Sequence, residues 1–567
     1  MAVMMRKVQI ILLLLAGGLL AVHVAGCREK DVPKQLDRYL TEARWVWGFH
    51  GSALVAYDGQ IILSAGYGMA SREFGELNTP QTKFFIGSIT KQFTAAAILL
   101  LGEQGKLSLD DPISRHLPEY PKPSGDVITI RQILTHAAGL PEYTDKPEVL
   151  LNRTVPVSSA ALLESFWRQP LEFEPGTGFQ YSNSGYIVLG AIIEAVSGQS
   201  YEAFLHHWIF GPLGMHQSGY ARREAGLPDR ADGYTTDEDR RMQEATPIHY
   251  SVLHSAGALY STAEDLLKWE QALATGTVLS RASVAEMLTP HAERYGYGVV
   301  IDSLFGRRHV YHGGFLDGFN STFERWPDQK LCVIVLSNDD MAPVKKIAHG
   351  LAAIVFGEPH DVPVKRVPTA MAREELMEFQ GVFDLGLGRY RHTLLEGDTL
   401  HMWVTGEPRV HLFPLATDTF FLDSDNTILL SFVRDDFGEI KAADLRDEGI
   451  TYRAPRVEPE RERELLLRWR PIALNPALFD DYAGVYQLET GLAIRPEGFT
   501  LTVTREGRRL FVAGTFTETV ELFARSETEF FHQTADFTLE FERDGRGNVS
   551  GCVVRMAGAA IRGRKVA

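Results

Sequence analysis

The stretch FFIGSITKQFTAAAILLL, residues 84–101, places a hydroxyl and an ammonium at the start of an otherwise apolar segment. As a helix from Ser88 it would carry apolar side chains on nearly every face, and such a helix belongs in a core. A buried ammonium without a partner is expensive, so we expect Lys91 to be paired or to have a lowered pKa. Because three residues span about one helical turn, the Lys91 amine can reach the Ser88 hydroxyl.

The same pair indicates a chemistry. A desolvated lysine can act as a base, and a serine needs a base to become a nucleophile near neutral pH. At a helix N-terminus, Ser88 would also lie beside free backbone N–H groups, which favour negative charge. A Ser-x-x-Lys match is expected on the order of once by chance in a chain of this length. On the pair alone, the alternative of a capping serine and a surface lysine stays open.

Length and charge limit the functional classes. The chain has 567 residues, and this length favours about two to four domains. Lys and Arg number 57 against 73 Asp and Glu, giving a formal net charge of -16, which argues against a nucleic-acid partner. Cys332 and Cys552 lie in apolar, strand-like runs, so we expect buried free thiols rather than a disulfide or a metal site.

Residues 1–27 have the layout of a secretory signal, with Arg6 and Lys7, an apolar run and then small residues. The ending VAGC, residues 24–27, resembles a bacterial lipobox, which implies that Cys27 is lipidated and becomes the mature N-terminus. The alternative is an uncleaved membrane anchor with a chance cysteine. Both predict a location in the bacterial cell envelope, anchored to a membrane and facing the periplasm or the exterior. The rest of the sequence contains no apolar run long enough to span a bilayer.

Hydrophobic period and turn signals predict an α+β domain over residues 28–360. SALVAYDGQIILSAGYG, residues 52–68, alternates around Asp58-Gly59, a strong hairpin signal. The patterns that follow are helix at 88–105, helix at 185–196 and strand at 309–314, 320–326 and 330–338. Strands at both ends of a helical region predict that both terminal segments join one antiparallel sheet.

After about residue 375 the sequence changes to short strands and turns, and it repeats itself. FQGVF at 379–383 resembles YAGVY at 482–486, and LFPLATDTFF from Leu412 resembles LFARSETEFF from Leu522. We therefore predict two small all-β, barrel-like domains, residues 375–455 and 476–567. The charged stretch from Glu458 is predicted to connect them, part linker and part short helix.

Two later motifs place the Ser88–Lys91 pair in a family. Tyr181-Ser182-Asn183 lies in a loop before the second helix, and His312-Gly313-Gly314 lies on a predicted edge strand. This ordered set resembles the penicillin-recognising serine hydrolases, which include class C β-lactamases, D,D-peptidases, related esterases and D-aminopeptidases. The flanks LTHAAGL (134–140), IFGPLGM (209–215) and SAGALYSTAEDLLKW (255–269) agree, and the resemblance covers about residues 40 to 355.

The resemblance implies a β-lactamase/transpeptidase-like fold, an antiparallel sheet flanked by helices with an added helical region. It implies that Ser88 attacks the substrate carbonyl to form an acyl-enzyme, while Lys91 and Tyr181 share the proton transfers; which of these two is the base stays open. Asn183 would hydrogen-bond the substrate amide and hold Lys91. The backbone N–H groups of Ser88 and Phe315 would form the oxyanion hole, with Gly313 and Gly314 allowing close approach to the substrate.

The third motif departs from the Lys-Thr-Gly of many relatives. His312 replaces a permanent cation, which argues against efficient β-lactamase activity and leaves peptidase or esterase chemistry open. A histidine with an ordinary pKa of roughly 6.5 would be charged at mildly acidic pH and could then bind a carboxylate. The second motif, Tyr-x-Asn, points to the class C and D,D-peptidase branch.

Other polar residues favour structural roles. We interpret His136 as a loop histidine, and Asp317 and Asn320 as residues that shape a turn. His206 and His207 have no carboxylate or cysteine at ligand spacing, so neither a metal site nor another cofactor is predicted. The sequence has no Gly-x-Ser-x-Gly motif, which argues against an α/β-hydrolase.

Three function classes follow from these observations. The first is a serine hydrolase that acts through an acyl-enzyme on a small peptide, D-amino-acid amide or ester of the envelope, with a carboxylesterase or β-lactamase of the same fold as the closest alternative. The second is a non-catalytic penicillin-binding receptor, and the third is a structural envelope lipoprotein. The predicted partners are a small substrate and, through the lipid anchor, the membrane; no nucleic acid is expected.

Overall fold

The computed structural model describes residues 32–144, 149, 153–221, 227–236, 242–246, 248–291, 293–386, 388–405, 407, 409–422, 428–447, 450–468, 472–488, 500–514, 519–532, 537–556 and 559–566. The predicted signal segment and the predicted lipidation site, Cys27, lie outside these residues. The chain divides into two compact units, residues 1–363 and 364–567. Among the described residues, no helix is both long enough and apolar enough to cross a bilayer.

Short and long strands alternate with helices in the first unit. Its strands are β1 (Gly51–Tyr57), β2 (Gln60–Tyr67), β3 (Met69–Ser71), β4 (Glu76–Leu77), β5 (Phe84–Phe85), β6 (Gly219–Tyr220), β7 (Tyr234–Thr236), β8 (Met242–Glu244), β9 (Leu259–Ser261), β10 (Val300–Leu304), β11 (Arg307–Leu316), β12 (Phe319–Trp326) and β13 (Leu331–Ser337). Six of them form one antiparallel sheet in the order β10-β11-β12-β13-β1-β2. Gly51 of β1 pairs with Ser337 of β13, so the early and late segments share a sheet, as predicted.

The helices of the first unit cover this sheet and extend beyond it. They are α1 (Val32–Val46), α2 (Thr90–Glu103), α3 (Ile113–His116), α4 (Ser124–Val127), α5 (Ile130–Leu134), α6 (Ser159–Phe166), α7 (Asn183–Ser197), α8 (Tyr201–Leu205), α9 (Gly211–Leu213), α10 (His254–Gly257), α11 (Ala263–Thr275), α12 (Arg281–Met287) and α13 (Val344–Phe356). A π-helical turn, His206–Phe210, follows α8, and 3-10 turns lie at Gly87–Ile89, Tyr250–Val252 and Pro327–Gln329.

Strand β13 shows why the centre of the sheet is apolar on both faces. Val333 and Val335 belong to a core with α1 and α13. Cys332, Ile334 and Leu336 alternate with them and belong to a second core that includes most of α2. Because successive side chains of a strand point to opposite faces, a strand covered on both sides reads as a continuous apolar run. This pattern confirms the predicted α+β class, with β-lactamase-like helices on both faces of the sheet.

The predicted hairpin and helices are present, with one shift in a helix start. Asp58 and Gly59 have φ of 48° and 78°, as required by the tight turn between β1 and β2. α7 ends at a left-handed Gly198, as predicted. The helix expected to begin at Ser88 begins instead at Thr90, because residues 87–89 form a 3-10 turn. Hydrophobic pattern does not distinguish these two helical geometries.

The second unit consists of two eight-stranded antiparallel β bodies. The first contains β14 (Gly381–Gly386), β15 (Arg389–Glu396), β16 (Thr399–Val404), β17 (Val410–Ala416), β18 (Thr419–Leu422), β19 (Leu429–Arg434), β20 (Ile440–Asp447) and β21 (Ile450–Pro455). The second is a closed barrel of β22 (Gly484–Leu488), β23 (Thr500–Glu506), β24 (Arg509–Gly514), β25 (Val520–Ala524), β26 (Glu529–Phe531), β27 (Phe537–Arg543), β28 (Val549–Met556) and β29 (Ala559–Lys565). Short helices α14 (Arg373–Leu376), α15 (Pro459–Arg468) and α16 (Leu478–Tyr482) and a 3-10 turn, Met377–Phe379, complete the unit.

Both β bodies use the repeated sequence in the same way. The ring centroids of Phe379 and Phe420 lie 4.8 Å apart in the first body. Their counterparts in the repeat, Tyr482 and Phe530, lie 5.3 Å apart in the second. The shared pattern therefore places equivalent aromatic rings in equivalent cores. Cys552 is a buried free thiol in the second body, as Cys332 is in the first unit, which confirms the expectation for both.

Candidate active site

Ser88 lies on the 3-10 turn Gly87–Ile89, which leads directly into α2. Gly87 has φ of 48°, and a Cβ at this position would lie 2.8 Å from the backbone nitrogen of Phe315. The turn therefore packs against β11, and it requires glycine at 87 both for its conformation and for the close approach. This packing brings the Ser88 hydroxyl beside the strand that carries the third motif.

The Lys91 side chain is fully buried and makes three hydrogen bonds. Its Nζ lies 3.0 Å from Ser88 Oγ, 2.8 Å from Asn183 Oδ1 and 2.8 Å from the Ala256 carbonyl oxygen. Burial lowers the pKa of Lys91 to about 7, and the negative charge of Glu142 acts in the opposite direction. The expected partnering and the expected pKa shift therefore occur together, because three acceptors hold an amine that has lost its water.

Tyr181 presents its phenol to the same serine. Burial raises the pKa of Tyr181 well above its ordinary value, while a hydrogen bond with the Ser88 hydroxyl opposes that rise. The phenol is therefore neutral at physiological pH. The residue as a whole is 38% exposed, and its ring centroid lies 4.8 Å from Lys91 Nζ. Tyr181 thus contacts both Ser88 and Lys91 and is partly exposed, so its phenol can donate a proton at the site.

Asn183 is the first residue of α7, and its two ends have different partners. Its side-chain Oδ1 accepts a hydrogen bond from Lys91. Its backbone N–H donates to Glu142 Oε2 at 2.6 Å. Ser182 caps the helix through the backbone N–H of Gly185, as serine commonly does at this position. The Tyr-x-Asn motif therefore lies at a helix start, where the Asn183 Oδ1 and backbone N–H both have partners.

Strand β11 presents a free edge to the site. The prediction of an edge strand is wrong for β11 as a whole, because β10 lies outside it in the sheet. β10 pairs with β11 only as far as Tyr311, however, so within the described part of the chain residues 312–316 have no strand neighbour on that side. A Cβ at Gly314 would lie 1.9 Å from the Ile86 carbonyl oxygen, which only glycine allows. Phe315 is 61% exposed. The edge thus combines close contact with the Ser88 turn and an accessible backbone, as the predicted oxyanion and substrate contacts require.

His312 differs from the expectation of a chargeable group. Burial, together with the positive charge of Lys91, lowers its pKa to about 4. Its Nδ1 lies 2.6 Å from the Gly313 carbonyl oxygen and so carries the proton, while Nε2 accepts the hydroxyl hydrogen of Tyr295 at 2.8 Å. The ordinary pKa assumed from the sequence does not apply, since the ring is desolvated beside a cation. His312 is therefore neutral even at mildly acidic pH.

The fold brings together all the predicted site residues that lie in its described part. Three segments far apart in sequence meet here: the Ser88–Lys91 turn, the start of α7 with Tyr181 and Asn183, and the β11 edge from His312 to Phe315. The rings of Tyr181 and His312 lie 6.2 Å apart, which links the second motif to the third. The catalytic, substrate-binding and oxyanion roles of all these residues stay predictions: Ser88, Lys91, Tyr181, Asn183, His312, Gly313, Gly314 and Phe315. Cys27, the predicted lipidation site, lies outside the described residues.

Several contact residues carried no motif of their own. The Ala256 carbonyl binds Lys91, the Glu142 carboxylate binds Asn183, and Tyr295 binds His312. Ala256 lies inside the flank SAGALYSTAEDLLKW, and Glu142 follows the flank LTHAAGL by two residues. The flanks therefore pointed to Ala256 and to the neighbourhood of Glu142, while no sequence signal covered Tyr295. A backbone carbonyl or a carboxylate in a loop has no pattern that shows which group it will contact.

His136 is buried and supports the motif rather than the reaction centre. Its Nδ1 accepts the backbone N–H of Ser182 at 3.0 Å, and its ring lies 4.4 Å from the ring of Tyr181. Burial lowers its pKa well below the ordinary value, with Lys91 and His312 adding to the shift. A neutral ring with these contacts fits the interpretation of a structural loop histidine.

Two residues near the third motif hold the turn between β11 and β12. Asp317 forms an ion pair with Arg153 at 2.5 Å. Asn320 donates from Nδ2 to the carbonyl oxygens of Asp340 and Ala342 at 3.3 and 2.9 Å. These contacts tie the turn to distant segments of the first unit, which fits the interpretation of both residues as structural.

One group of side chains within the described residues has metal-like spacing. His309, Glu324 and His349 are buried, and their ligand atoms lie within 4.8 Å of one another. The Glu324 carboxylate lies 3.0 Å from His309 Nε2 and 3.2 Å from His349 Nε2, and it accepts the Thr322 hydroxyl at 2.9 Å. Burial raises the pKa of Glu324, but the histidines lower it by more, so it is an anion. His309 and the Thr322 hydroxyl hydrogen-bond this buried carboxylate, and His349 lies within ion-pair distance of it.

Comparisons with known proteins agree with this geometry. A family model described as Beta-lactamase matches residues 43–355. Penicillin-binding protein 4* of Bacillus subtilis (strain 168) is 29% identical over 407 residues, which cover 66% of this chain and 88% of the relative. The putative penicillin-binding protein PbpX of the same strain is 32% identical over 309 residues, covering 54% of this chain and 74% of the relative.

A solved structure is similar over a comparable length. The octameric penicillin-binding protein homologue from Pyrococcus abyssi superposes with a TM-score of 0.54 at 28% identity, covering 74% of this chain and 99% of that one. The region matched by the family model spans more than half of this chain and contains every predicted site residue from Ser88 to Phe315. The chain belongs to the β-lactamase family, the penicillin-recognising serine hydrolases.

Proposed function

We propose that this protein is a serine hydrolase that forms an acyl-enzyme on Ser88 and cleaves an amide or ester, with a peptide or D-amino-acid-containing compound of the cell envelope as its substrate. The observation that carries the proposal is the Lys91 amine, which is buried 3.0 Å from the Ser88 hydroxyl. Its pKa is lowered to about 7. About half of such amines are neutral at pH 7 and can accept a proton from the serine.

The contacts of Lys91 direct its lone pair. As an ammonium, Lys91 donates to Ser88, Asn183 and Ala256. Asn183 Oδ1 and the Ala256 carbonyl oxygen can only accept hydrogen bonds, so the neutral amine directs its two N–H groups to them. The lone pair of the amine then points toward Ser88 Oγ. This arrangement favours Lys91 over Tyr181 as the base in acylation, because the phenol of Tyr181 keeps its own proton at neutral pH.

Acylation follows from these positions. Ser88 Oγ forms a bond to the substrate carbonyl carbon while its proton passes to Lys91 Nζ, and the carbonyl electron pair moves to the oxygen. The backbone N–H groups of Ser88 and Phe315 donate to this oxyanion, and losing one such donor typically costs about 10²- to 10³-fold in rate. As the tetrahedral intermediate collapses, the carbon–nitrogen or carbon–oxygen bond of the leaving group breaks.

Tyr181 is suited to protonate the leaving group. Its neutral phenol hydrogen-bonds the Ser88 hydroxyl and lies at the more exposed side of the site. The phenolate that forms would regain a proton from the Lys91 ammonium, whose Nζ lies 4.8 Å from the ring centroid. Water then attacks the acyl carbon while one of its protons passes to the same pair of residues. The bond between this carbon and Ser88 Oγ breaks, Oγ takes the proton back from the pair, and the acid leaves.

The neutral His312 limits the substrate class. With a pKa of about 4 it provides no cation near neutral pH for the carboxylate of a β-lactam. We therefore propose amide or ester hydrolysis as the main activity and weak turnover of β-lactams. Two relatives are named penicillin-binding proteins, which supports a site that is acylated by compounds of this kind.

We also propose that the protein is a lipoprotein of the bacterial cell envelope. The support is the signal-like sequence of residues 1–27 and its lipobox-like end at Cys27. A lipid anchor would hold the hydrolase at a membrane surface, where envelope peptides occur.

Labelling of Ser88 tests the proposed reaction. Purified protein should be labelled by a fluorophosphonate and by a fluorescent penicillin, and should hydrolyse a panel of D-amino-acid amides or p-nitrophenyl esters. Ser88→Ala should lose both labelling and turnover, because the hydroxyl is the attacking group. Stable labelling without any turnover would support the penicillin-binding receptor instead. Absence of labelling from the unmodified protein would contradict acyl transfer.

The pH dependence of acylation tests Lys91. The rate should rise with pH to a plateau with a midpoint near pH 7, because only the neutral amine accepts the serine proton. Below the midpoint, each pH unit should lower the rate about tenfold. Lys91→Ala should lower acylation by roughly 10²- to 10⁴-fold, with circular dichroism reporting a folded protein. Rates near those of the unmodified protein would remove Lys91 from the mechanism.

Gly314→Ala tests the contact between the β11 edge and the nucleophile turn. The added methyl would lie 1.9 Å from the Ile86 carbonyl oxygen, so the strand or the turn must move. Because the oxyanion donors lie on both sides of this contact, acylation should fall by about 10²-fold or more. Gly102→Ala in α2 is the matched control, since its methyl would meet no described atom closer than 3.9 Å and should leave labelling unchanged. Equal labelling rates in the two variants would show that the close contact does not matter.

Metabolic labelling tests the anchor. Expressed in a bacterial host with an alkyne-palmitate, the full chain should incorporate the lipid and fractionate with membranes. Cys27→Ser should lose the lipid, because the thiol is the acceptor, while Cys332→Ser serves as the control because that thiol is buried in the first unit. Equal lipid incorporation in the Cys27 variant and the unmodified chain would exclude lipidation at Cys27.

A further inference from the structure

Glu142 lies beside the site but in none of the three motifs. One carboxylate oxygen, Oε2, accepts the backbone N–H of Asn183 at 2.6 Å. The other, Oε1, accepts both the backbone N–H and the hydroxyl of Thr144, at 3.1 and 2.7 Å. Because both oxygens are bound, the carboxylate is fixed in position.

The segment around Glu142 holds the start of α7 at successive residues. His136 Nδ1 accepts the N–H of Ser182, and Glu142 accepts that of Asn183. The hydroxyl of Ser184 accepts the N–H of Tyr143 at 3.0 Å and donates to the Pro141 carbonyl at 2.7 Å. The backbone that carries Tyr181 and Asn183 is therefore tied to residues 136–143 at three consecutive positions.

Glu142 also provides negative charge toward the buried amine. Its carboxylate acts to raise the pKa of Lys91 against the larger effect of burial. The other titratable groups that face Lys91 are His136, His312, Tyr181 and Tyr186. Burial lowers the pKa of both histidines and raises the pKa of both phenols, so all four are neutral near pH 7. Within the part of the chain that the structure describes, the charge that faces the Lys91 ammonium is that of Glu142.

We propose that Glu142 is a positioning residue of the acyl-transfer site, which fixes the Tyr-x-Asn backbone through the Asn183 N–H and supplies the negative charge that stabilises the Lys91 ammonium. The inference rests on the proposed function, since that ammonium forms when Ser88 gives up its proton. The cost of forming a cation in a water-poor site is highest at that step, and a fixed carboxylate lowers it without touching the substrate.

Two variants distinguish the positional role of Glu142 from its charge role. Glu142→Gln keeps an oxygen that can accept the Asn183 N–H but removes the charge, so the midpoint of the acid limb of acylation should move to lower pH by about one unit. The sign follows because removing a nearby negative charge makes the ammonium easier to deprotonate. On the plateau the Gln variant should acylate about tenfold more slowly, since the ammonium formed in the reaction is less stabilised.

Glu142→Asp keeps the charge but shortens the side chain. It should keep the midpoint of the unmodified protein while its plateau rate falls. Glu174→Gln is the matched control, because Glu174 is an exposed carboxylate of the same domain and should change neither the midpoint nor the plateau. A midpoint in Glu142→Gln that equals that of Glu174→Gln, or one that moves to higher pH, would overturn the proposed charge role.

A second measurement does not depend on turnover. In protein labelled with ¹³C at lysine Cε, the Lys91 signal can be assigned by its loss in Lys91→Ala and titrated in the absence of substrate. Its pKa should be lower in Glu142→Gln than in the unmodified protein and unchanged in Glu142→Asp. If Ser88 is not labelled but the Lys91 titration moves, the proposed hydrolase function fails and the electrostatic inference stands. If Ser88 is labelled and neither the titration nor the acid limb moves, the inference alone fails.

Discussion

Burial of the Lys91 amine is the constraint on which the first unit depends. α2 is apolar on almost every face because it fills the core between the sheet and the surrounding helices. An ammonium in such a place is costly unless its hydrogen bonds are complete. Ser88, Asn183 and Ala256 supply the acceptors from three segments that are distant in sequence. The three hydrogen bonds of Lys91 therefore do two things: they make its burial in this core possible, and they bring the segments of the site together.

The second constraint is the distance between β11 and the 3-10 turn Gly87–Ile89, which carries Ser88. Glycine at 87 and at 314 removes the two side chains that would otherwise separate them. The strand keeps a free edge at this point because β10 stops pairing at Tyr311. A backbone N–H and a serine hydroxyl can then face the same carbonyl, which is the arrangement that acyl transfer needs. Glu142 and His136 complete the arrangement by fixing the backbone on the other side of Ser88.

Much of the fold could be predicted from local pattern. The hairpin at Asp58-Gly59, the strands from His309 onward and the helix that ends before Gly198 all follow from residue period and turn chemistry, which are local properties of the chain. The 3-10 turn at Ser88 could not be predicted, because its geometry is set by packing against β11 rather than by its own residues. The repeat in the second unit was readable because two copies of one β body repeat the same aromatic positions.

The sequence by itself determined which side chains form the candidate site, since Ser-x-x-Lys, Tyr-x-Asn and His-x-Gly are fixed by residue type and order. Tertiary structure alone decided their protonation. From the sequence alone, an ordinary pKa would be assumed for His312, but in the folded protein its pKa is about 4. The pKa of Lys91 is likewise lowered, to about 7. Tertiary structure also decided that Glu142 and the Ala256 carbonyl meet this site. The reason is physical: desolvation and charge–charge interactions depend on which distant segments surround a group, and a linear pattern contains no such distances.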